Sequence, residues 1–100
     1  MRFALTFQPE AASQLHELEH GEDGKDLVKL KKVRACLGRI ELDPRHPGLH
    51  SHKYTELKGL NGEDIWESYV ENNVPAAWRV FWHYGPERLQ ITIIAITPHP

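Results

Sequence analysis

Strict alternation along Ala77 to Tyr84 sends Trp78, Val80 and Trp82 to one side of a strand and Arg79, Phe81 and His83 to the other. If the asparagine-containing loop after Glu71 brings Val70 opposite Trp78, then Ser68 faces Val80 and Trp66 faces Trp82. In the same register Tyr69 faces Arg79 and Glu67 faces Phe81. One sheet face is then apolar, and the other carries Glu67, Tyr69, Arg79 and Phe81. A guanidinium suits a phosphate, a carboxylate moves a proton, and an aromatic ring stacks on a base. The same four residues also read as a solvated face with a cross-strand charge pair contributing under about 1 kcal/mol. Periodicity alone leaves both readings open.

A second group is His46, His50 and His52, set among Pro44, Pro47 and Gly48. Such loop spacings permit a metal, but no cysteine or clear carboxylate partner accompanies them, so no metal or other cofactor is expected. A loop that touches RNA phosphate through His50 and His52, or a plain solvated connector, is the simpler reading. Lys53 and Lys58 extend its positive surface, either as phosphate contacts or as solvated lysines. His83 and Tyr84, beside a turn, read as structural. Cys36 has no partner for an internal disulfide and occupies a helical position that reads as packing.

Elements that position these groups follow from pattern. Arg2 to Phe7 is aromatic and β-leaning, a strand. Pro9 opens a helix carrying Ala12, Leu15 and Leu18, which stops near His20-Gly21. A second helix runs from about Asp26 to Glu41, where Leu27, Leu30, Val33, Leu37 and Ile40 form one apolar stripe and Lys25, Lys29 and Lys32 lie on another side. Two prolines and a glycine in Asp43 to Gly48 end the helical region. Strands follow at Lys53–Leu57, Ile65–Glu71, Ala77–Tyr84 and Leu89–Thr97. A four-residue turn at Gly85 to Arg88 would place Ile91 across from Trp82 and Ile93 across from Val80. The expected fold is α+β: strand, helix, helix, four strands, with a helical hairpin packed on one face of a mainly antiparallel twisted sheet.

The 100 residues make one domain, 40% of them apolar. The longest apolar run, Ile93 to Ile96, is too short to span a membrane, and MRFALTFQPE reaches proline and glutamate too early for a signal peptide. The chain therefore reads as soluble and cytoplasmic. A net charge of −2 is a weak argument against a nucleic-acid binder, but the charge is uneven: −4 over residues 1–24, +5 over 25–58 and −3 over 59–100. The basic middle reads either as a patch for phosphates or as a lysine-rich solvated helix face.

The element order, the loop DPRHPGL and the segments HKYTELKGLNGEDIWESYV, AAWRVFWHYG and ITIIAITPHP together resemble the RelE/ParE toxin superfamily, nearer its RelE/YoeB-like branch. The resemblance spans nearly the whole chain. It is strongest at Leu57-Lys58-Gly59, at Trp66 and at Trp78-Arg79-Val80-Phe81. It implies the toxin of a type II toxin–antitoxin system, a metal-independent endoribonuclease that cuts mRNA on the ribosome. In such enzymes the ribose 2′-hydroxyl attacks the adjacent phosphate, giving a cyclic phosphate and a 5′-hydroxyl. Arg79 matches the family's phosphate-stabilising arginine. His99 stands where YoeB-like members carry a general-acid histidine, and Glu56 falls near their glutamate base, one residue out of register unless the strand is bulged.

Departures accompany these matches. The positions of two lysines in RelE-like members are held here by Glu67 and Tyr69, so a lysine-based mechanism does not transfer and these two become the catalytic candidates. The chain ends His99-Pro100 rather than His-Tyr, and strict alternation puts His99 on the apolar side. The resemblance also implies an antitoxin that wraps the toxin in a hetero-oligomer, with mRNA and the ribosome as further partners. Two alternatives remain: a non-toxic partner-binding relative, and a ParE-like inhibitor of DNA gyrase.

Overall fold

A computed structural model of the protein describes residues 2–21 and 24–98. These form β1 (Ala4–Phe7), α1 (Pro9–Glu19), α2 (Gly24–Leu42), a single 3-10 turn (Pro47–Leu49), β2 (His52–Lys58), β3 (Asp64–Tyr69), β4 (Trp78–Tyr84) and β5 (Gln90–Pro98). The strands make one sheet in the order β1-β5-β4-β3-β2. β1 runs parallel to β5 and every other pairing is antiparallel. The α+β arrangement read from the pattern is the one observed. Among the described residues no helix is long and apolar enough to cross a membrane.

Pro9 occupies the first turn of α1, where its missing N–H costs nothing. That helix buries Ala11 and Leu18. β1 pairs with β5 only as far as Ile93, and beyond it the Ile96 N–H donates instead to Gln14 Oε1 of α1 at 2.6 Å. On α2 the buried stripe is Leu30, Val33, Cys36, Leu37 and Ile40. Leu27, expected in that stripe, is 59% exposed. Periodicity identifies the apolar side of a helix but not how far along it a neighbour reaches. Burial pushes the Cys36 thiol up to about 12, against a smaller lowering by Arg39, so it stays protonated and acts as packing.

Both helices cover the face formed by Val80, Trp82, Ile91, Ile93 and Ile96. At its centre the Trp82 Nε1–H donates to Ser68 Oγ at 2.7 Å, and Ser68 Oγ lies 2.6 Å from Ser51 Oγ, which ties the loop before β2 to the sheet. The β4–β5 connection differs from the expected four-residue turn. Gly85 N–H donates to Gln90 O at 2.8 Å, with Gly85 and Leu89 at φ of 91° and 59°. Ile91 consequently faces Tyr84 and Ile93 faces Trp82. The offset from expectation is two residues, an even number, so Ile91 and Ile93 keep to the apolar face. A bulge then follows: Trp82 faces Ile93 but Phe81 faces Ala95, leaving Ile94 as the extra residue. Beyond it Ile96 pairs with Val80, and Thr97 pairs with Arg79.

Ser68→Ala would leave the buried indole N–H of Trp82 without its acceptor. The expected loss is about 1–3 kcal/mol in urea unfolding, with a smaller loss for Ser51→Ala, which spares the Trp82–Ser68 bond.

Candidate functional site

The β3–β4 register is the one expected, with Trp66↔Trp82, Glu67↔Phe81, Ser68↔Val80 and Tyr69↔Arg79. Glu67, Tyr69, Arg79 and Phe81 therefore share the face turned away from the helices. That face is not open to water. Glu67 is 1% exposed, Phe81 5% and Arg79 7%. Tyr69 and the Glu71 carbonyl cover Arg79, while Tyr54 and His52 cover Phe81 and Glu67 from β2, a strand that the alternation pattern could not register against β3. His52 pairs with Glu67 and Lys53 with Trp66, and the register then shifts before Lys58 meets Asp64.

Arg79 is fixed at three points. Its Nη1 donates to Glu71 O at 2.7 Å and to Trp78 O at 3.0 Å, and its guanidinium carbon lies 3.7 Å from the centre of the Tyr69 ring. Nε is buried with no hydrogen-bond partner among the described residues. The stack and the two carbonyls hold the guanidinium plane without neutralising it. His50, with left-handed backbone (φ 48°), covers the other edge of the Tyr69 ring system at 5.1 Å.

His52 Nε2 lies 2.6 Å from Glu67 Oε1, and its Nδ1 lies 3.0 Å from His50 O. The carbonyl can only accept, so Nδ1 carries a proton and donates. The remaining contact joins Nε2 to the Glu67 carboxyl. His52 is half exposed while Glu67 is buried, so the pair links the interior of the sheet to solvent. Tyr54, which sequence reasoning passed over, packs edge-on against Phe81 at 5.1 Å and donates to Glu56 Oε2 at 2.9 Å. That bond, with lesser help from burial and the charges of Glu56 and Glu67, holds the Tyr54 hydroxyl above the ordinary phenol value. Alternation of His52, Tyr54 and Glu56 was the available signal for Tyr54.

Structure thus brings Arg79, Tyr69, Glu67, His50 and His52 into one cluster, with Phe81, Tyr54 and Glu56 continuing it along β2. His99 lies outside the described residues. Phe81 presents its ring to Tyr54 rather than to solvent. Lys53 and Lys58 are elsewhere: both pair with Asp64, Lys53 at 3.4 Å, and Lys53 lies over Trp66 on the opposite face. Their hydrogen bonds and charges hold the Asp64 carboxyl below its usual value. His46 is separate again, its Nδ1 accepting from Gly48 N–H at 2.9 Å.

Behind the cluster, Glu71 ties α2 to the site. It accepts from Lys29 Nζ at 2.6 Å and from Trp78 N–H at 3.2 Å, and lies 3.5 Å from Lys32. Burial tends to raise its carboxyl, but the Lys29 and Trp78 hydrogen bonds and the two lysine charges outweigh it and hold the pKa below the usual carboxylate range. The folded value lies below the unfolded one, so this stabilisation is full at neutral pH and fades as the pH falls through the folded value. Glu71→Gln should therefore cost on the order of 1 kcal/mol at neutral pH in denaturant unfolding, and the gap to wild type should close in acid.

No protein-family model and no curated protein sequence matches the chain. Solved structures do. A YoeB/ParE toxin from Agrobacterium tumefaciens superposes with a TM-score of 0.71 at 10% identity, over 98% of this chain and 100% of that one. A YoeB dimer from Staphylococcus aureus gives 0.63 at 17% identity, over 100% of both chains. An archaeal RelE–RelB complex from Pyrococcus horikoshii OT3 gives 0.64 at 13% identity, over 98% of this chain and 96% of that one. The chain shares the α+β fold of these YoeB- and RelE-type toxin structures.

Proposed function

We propose that this protein is the toxin of a type II toxin–antitoxin pair and acts in the cytoplasm as a metal-independent, ribosome-dependent endoribonuclease on mRNA. The observation that carries the reading is the Arg79 guanidinium, clamped over Tyr69 on the same sheet face as the hydrogen-bonded His52–Glu67 pair. Strand cleavage by a 2′-hydroxyl needs positive charge on the phosphoryl oxygens, a base at the 2′-oxygen and an acid at the leaving 5′-oxygen. Arg79 supplies the charge. The His52–Glu67 pair is the proton carrier within reach of that face, with Tyr69 as the platform that orients the guanidinium. Glu56, reached through Tyr54, and His99 complete the candidate set. A recess of about 240 Å³ beside Tyr69 and Glu71, rimmed by Lys32, Arg39 and His50, supports approach of a phosphate backbone from the α2 side.

The same reading gives the protein an antitoxin as partner. The RelE-like neighbour is a complex with RelB and the YoeB neighbour is a dimer, which supports a hetero-oligomer. A second reading, a partner-binding relative without nuclease activity, is favoured by the 7% exposure of Arg79 and its two carbonyl bonds, which also suit a structural role. Gyrase inhibition remains the ParE-like alternative, marked by DNA damage and filamentation without RNA cleavage.

Induced expression with 5′-end mapping of cellular transcripts separates these. The nuclease predicts growth arrest and new 5′-hydroxyl ends that Arg79→Ala abolishes, while thermal melting shows the variant folded. Identical maps and normal growth for both chains would sink it. His52→Gln should reduce cleavage by about 10²-fold or more if the pair carries the proton, in line with the usual contribution of general acid–base groups.

A further inference from the structure

A further cavity lies away from Arg79. It lies on the opposite side of the sheet, between the loop after α2 and an aromatic row on β3 and β4, and holds about 590 Å³. Small-molecule sites span about 300–1,000 Å³. We propose that this cavity binds a nucleotide: a planar base carrying a phosphate. The proposal is independent of the nuclease reading, because Trp66 and Trp82 share their face with Ser68 and Val80 while Arg79 faces the other way.

The sheet-side wall is aromatic. Trp66 and Trp82 lie nearly parallel, 22° apart with centroids at 6.1 Å, and Tyr84 stands edge-on to Trp82 at 5.0 Å. Tyr84 is 40% exposed, so the row opens to solvent at that end. Trp82 is only 1% exposed, so the rings open to a ligand are those of half-buried Trp66 and of Tyr84, and an aromatic face accepts the flat ring of any base. The loop side supplies Arg45, His46 and Pro47. Because His46 Nδ1 accepts from the Gly48 N–H, its ring proton sits on Nε2, which is a donor. Arg45 is an exposed lining residue, and the Tyr84 hydroxyl feels both its charge and that of Asp43: burial and Asp43 raise the hydroxyl, Arg45 opposes them, and the net shift is upward.

Charge decides between ligand classes. Aromatic walls alone would suit a cation. This cavity has a guanidinium and neutral donors, and no carboxylate lines it. The nearby Asp43 turns its Oδ1 to the Arg45 backbone N–H at 3.1 Å. An anion is therefore favoured, and an anion attached to a flat heterocycle uses both halves of the site.

The loop is also built to hold its shape. Ser51 Oγ bonds Pro44 O at 3.4 Å and Ser68 Oγ at 2.6 Å. A Cβ at Gly48 would lie 3.0 Å from the His46 ring and 2.8 Å from Arg39 Nη1, the far end of a flexible side chain, so the His46 ring packs closely on the loop there. A preformed wall keeps the ordering cost of binding low.

A free nucleotide and a nucleotide within an RNA strand share this chemistry, and site-resolved NMR separates them. The probes are AMP, adenosine and a hexamer of adenylate, titrated into the full chain while the Trp66 indole N–H and the Ala95 and Thr97 amides are followed. AMP should shift Trp66 saturably, at least about tenfold more tightly than adenosine, as a charge-assisted phosphate contact requires. Ala95 and Thr97, on the Arg79 face, should not move with AMP. Arg45→Glu, a surface change, should leave the melting temperature unaltered and erase the preference for AMP. A hexamer tighter than AMP at Trp66 assigns the cavity to RNA, and a weaker one assigns it to the free nucleotide. The proposal fails if AMP and the hexamer both leave Trp66 unshifted, or if Arg45→Glu binds AMP as wild type does. Absence of RNA cleavage would leave these outcomes unaffected, so failure of the nuclease reading and failure of this one are distinguishable.

Discussion

The indole N–H of Trp82 meets Ser68 Oγ across the β3–β4 pair at 2.7 Å, and the registration marked by that contact is what the other features depend on. A slip of one residue would turn Trp66 and Trp82 toward the Arg79 side and carry Glu67 and Arg79 under the helices. It would also strand a buried indole and a buried guanidinium without partners. The apolar cost on one face and the polar cost on the other forbid the same alternatives. One sheet thereby keeps two unlike surfaces a backbone thickness apart.

The polar surface is assembled from parts that are each held by something else. Arg79 is aimed by two carbonyls and by the Tyr69 ring, Glu67 is met by His52 from the edge strand, and Glu71 anchors the β3–β4 loop to Lys29 of α2. Low exposure of these groups is consistent with a pre-aligned charge that loses little reorganisation when a phosphate arrives. It equally means that β2, carrying His52 and Tyr54, governs access to the interior of the cluster. The basic stretch of residues 25–58 contributes less as a diffuse patch than through particular members: Lys29 and Lys32 serve Glu71, and Lys53 and Lys58 serve Asp64.

The two faces also divide the histidines. His52 joins the Arg79 cluster and His46 shapes the loop over the aromatic cavity, while His50 touches Tyr69 and also lines that cavity. A short sequence spacing therefore says little about proximity here, because a 3-10 turn at Pro47–Leu49 and a left-handed residue at His50 intervene. The same loop forms the rim of both the recess beside Tyr69 and the aromatic cavity.

Periodicity and the proline and glycine breaks determined the element order, and alternation of Trp78 to Tyr84 and of Trp66 to Tyr69, once the loop sets Val70 opposite Trp78, determined the β3–β4 register and the set Glu67, Tyr69, Arg79 and Phe81. Local chemistry is strong there because each residue has one face on which its side chain is tolerable. The sequence could not register β2, whose polar residues are mostly exposed on both sides, so the His52–Glu67 contact and the role of Tyr54 were decided only by tertiary pairing. Nor could it locate the bulge opposite Phe81 and Trp82, since a run of four apolar residues, Ile93 to Ile96, satisfies either parity. That bulge turns Ala95 and Thr97 to the Arg79 face, reversing the strict alternation along β5. Burial of the arginine face, too, was invisible in one dimension: it depends on side-chain contacts across strands, Tyr69 on Arg79, His52 on Glu67 and Tyr54 on Phe81, at residues that pattern alone would assign to water.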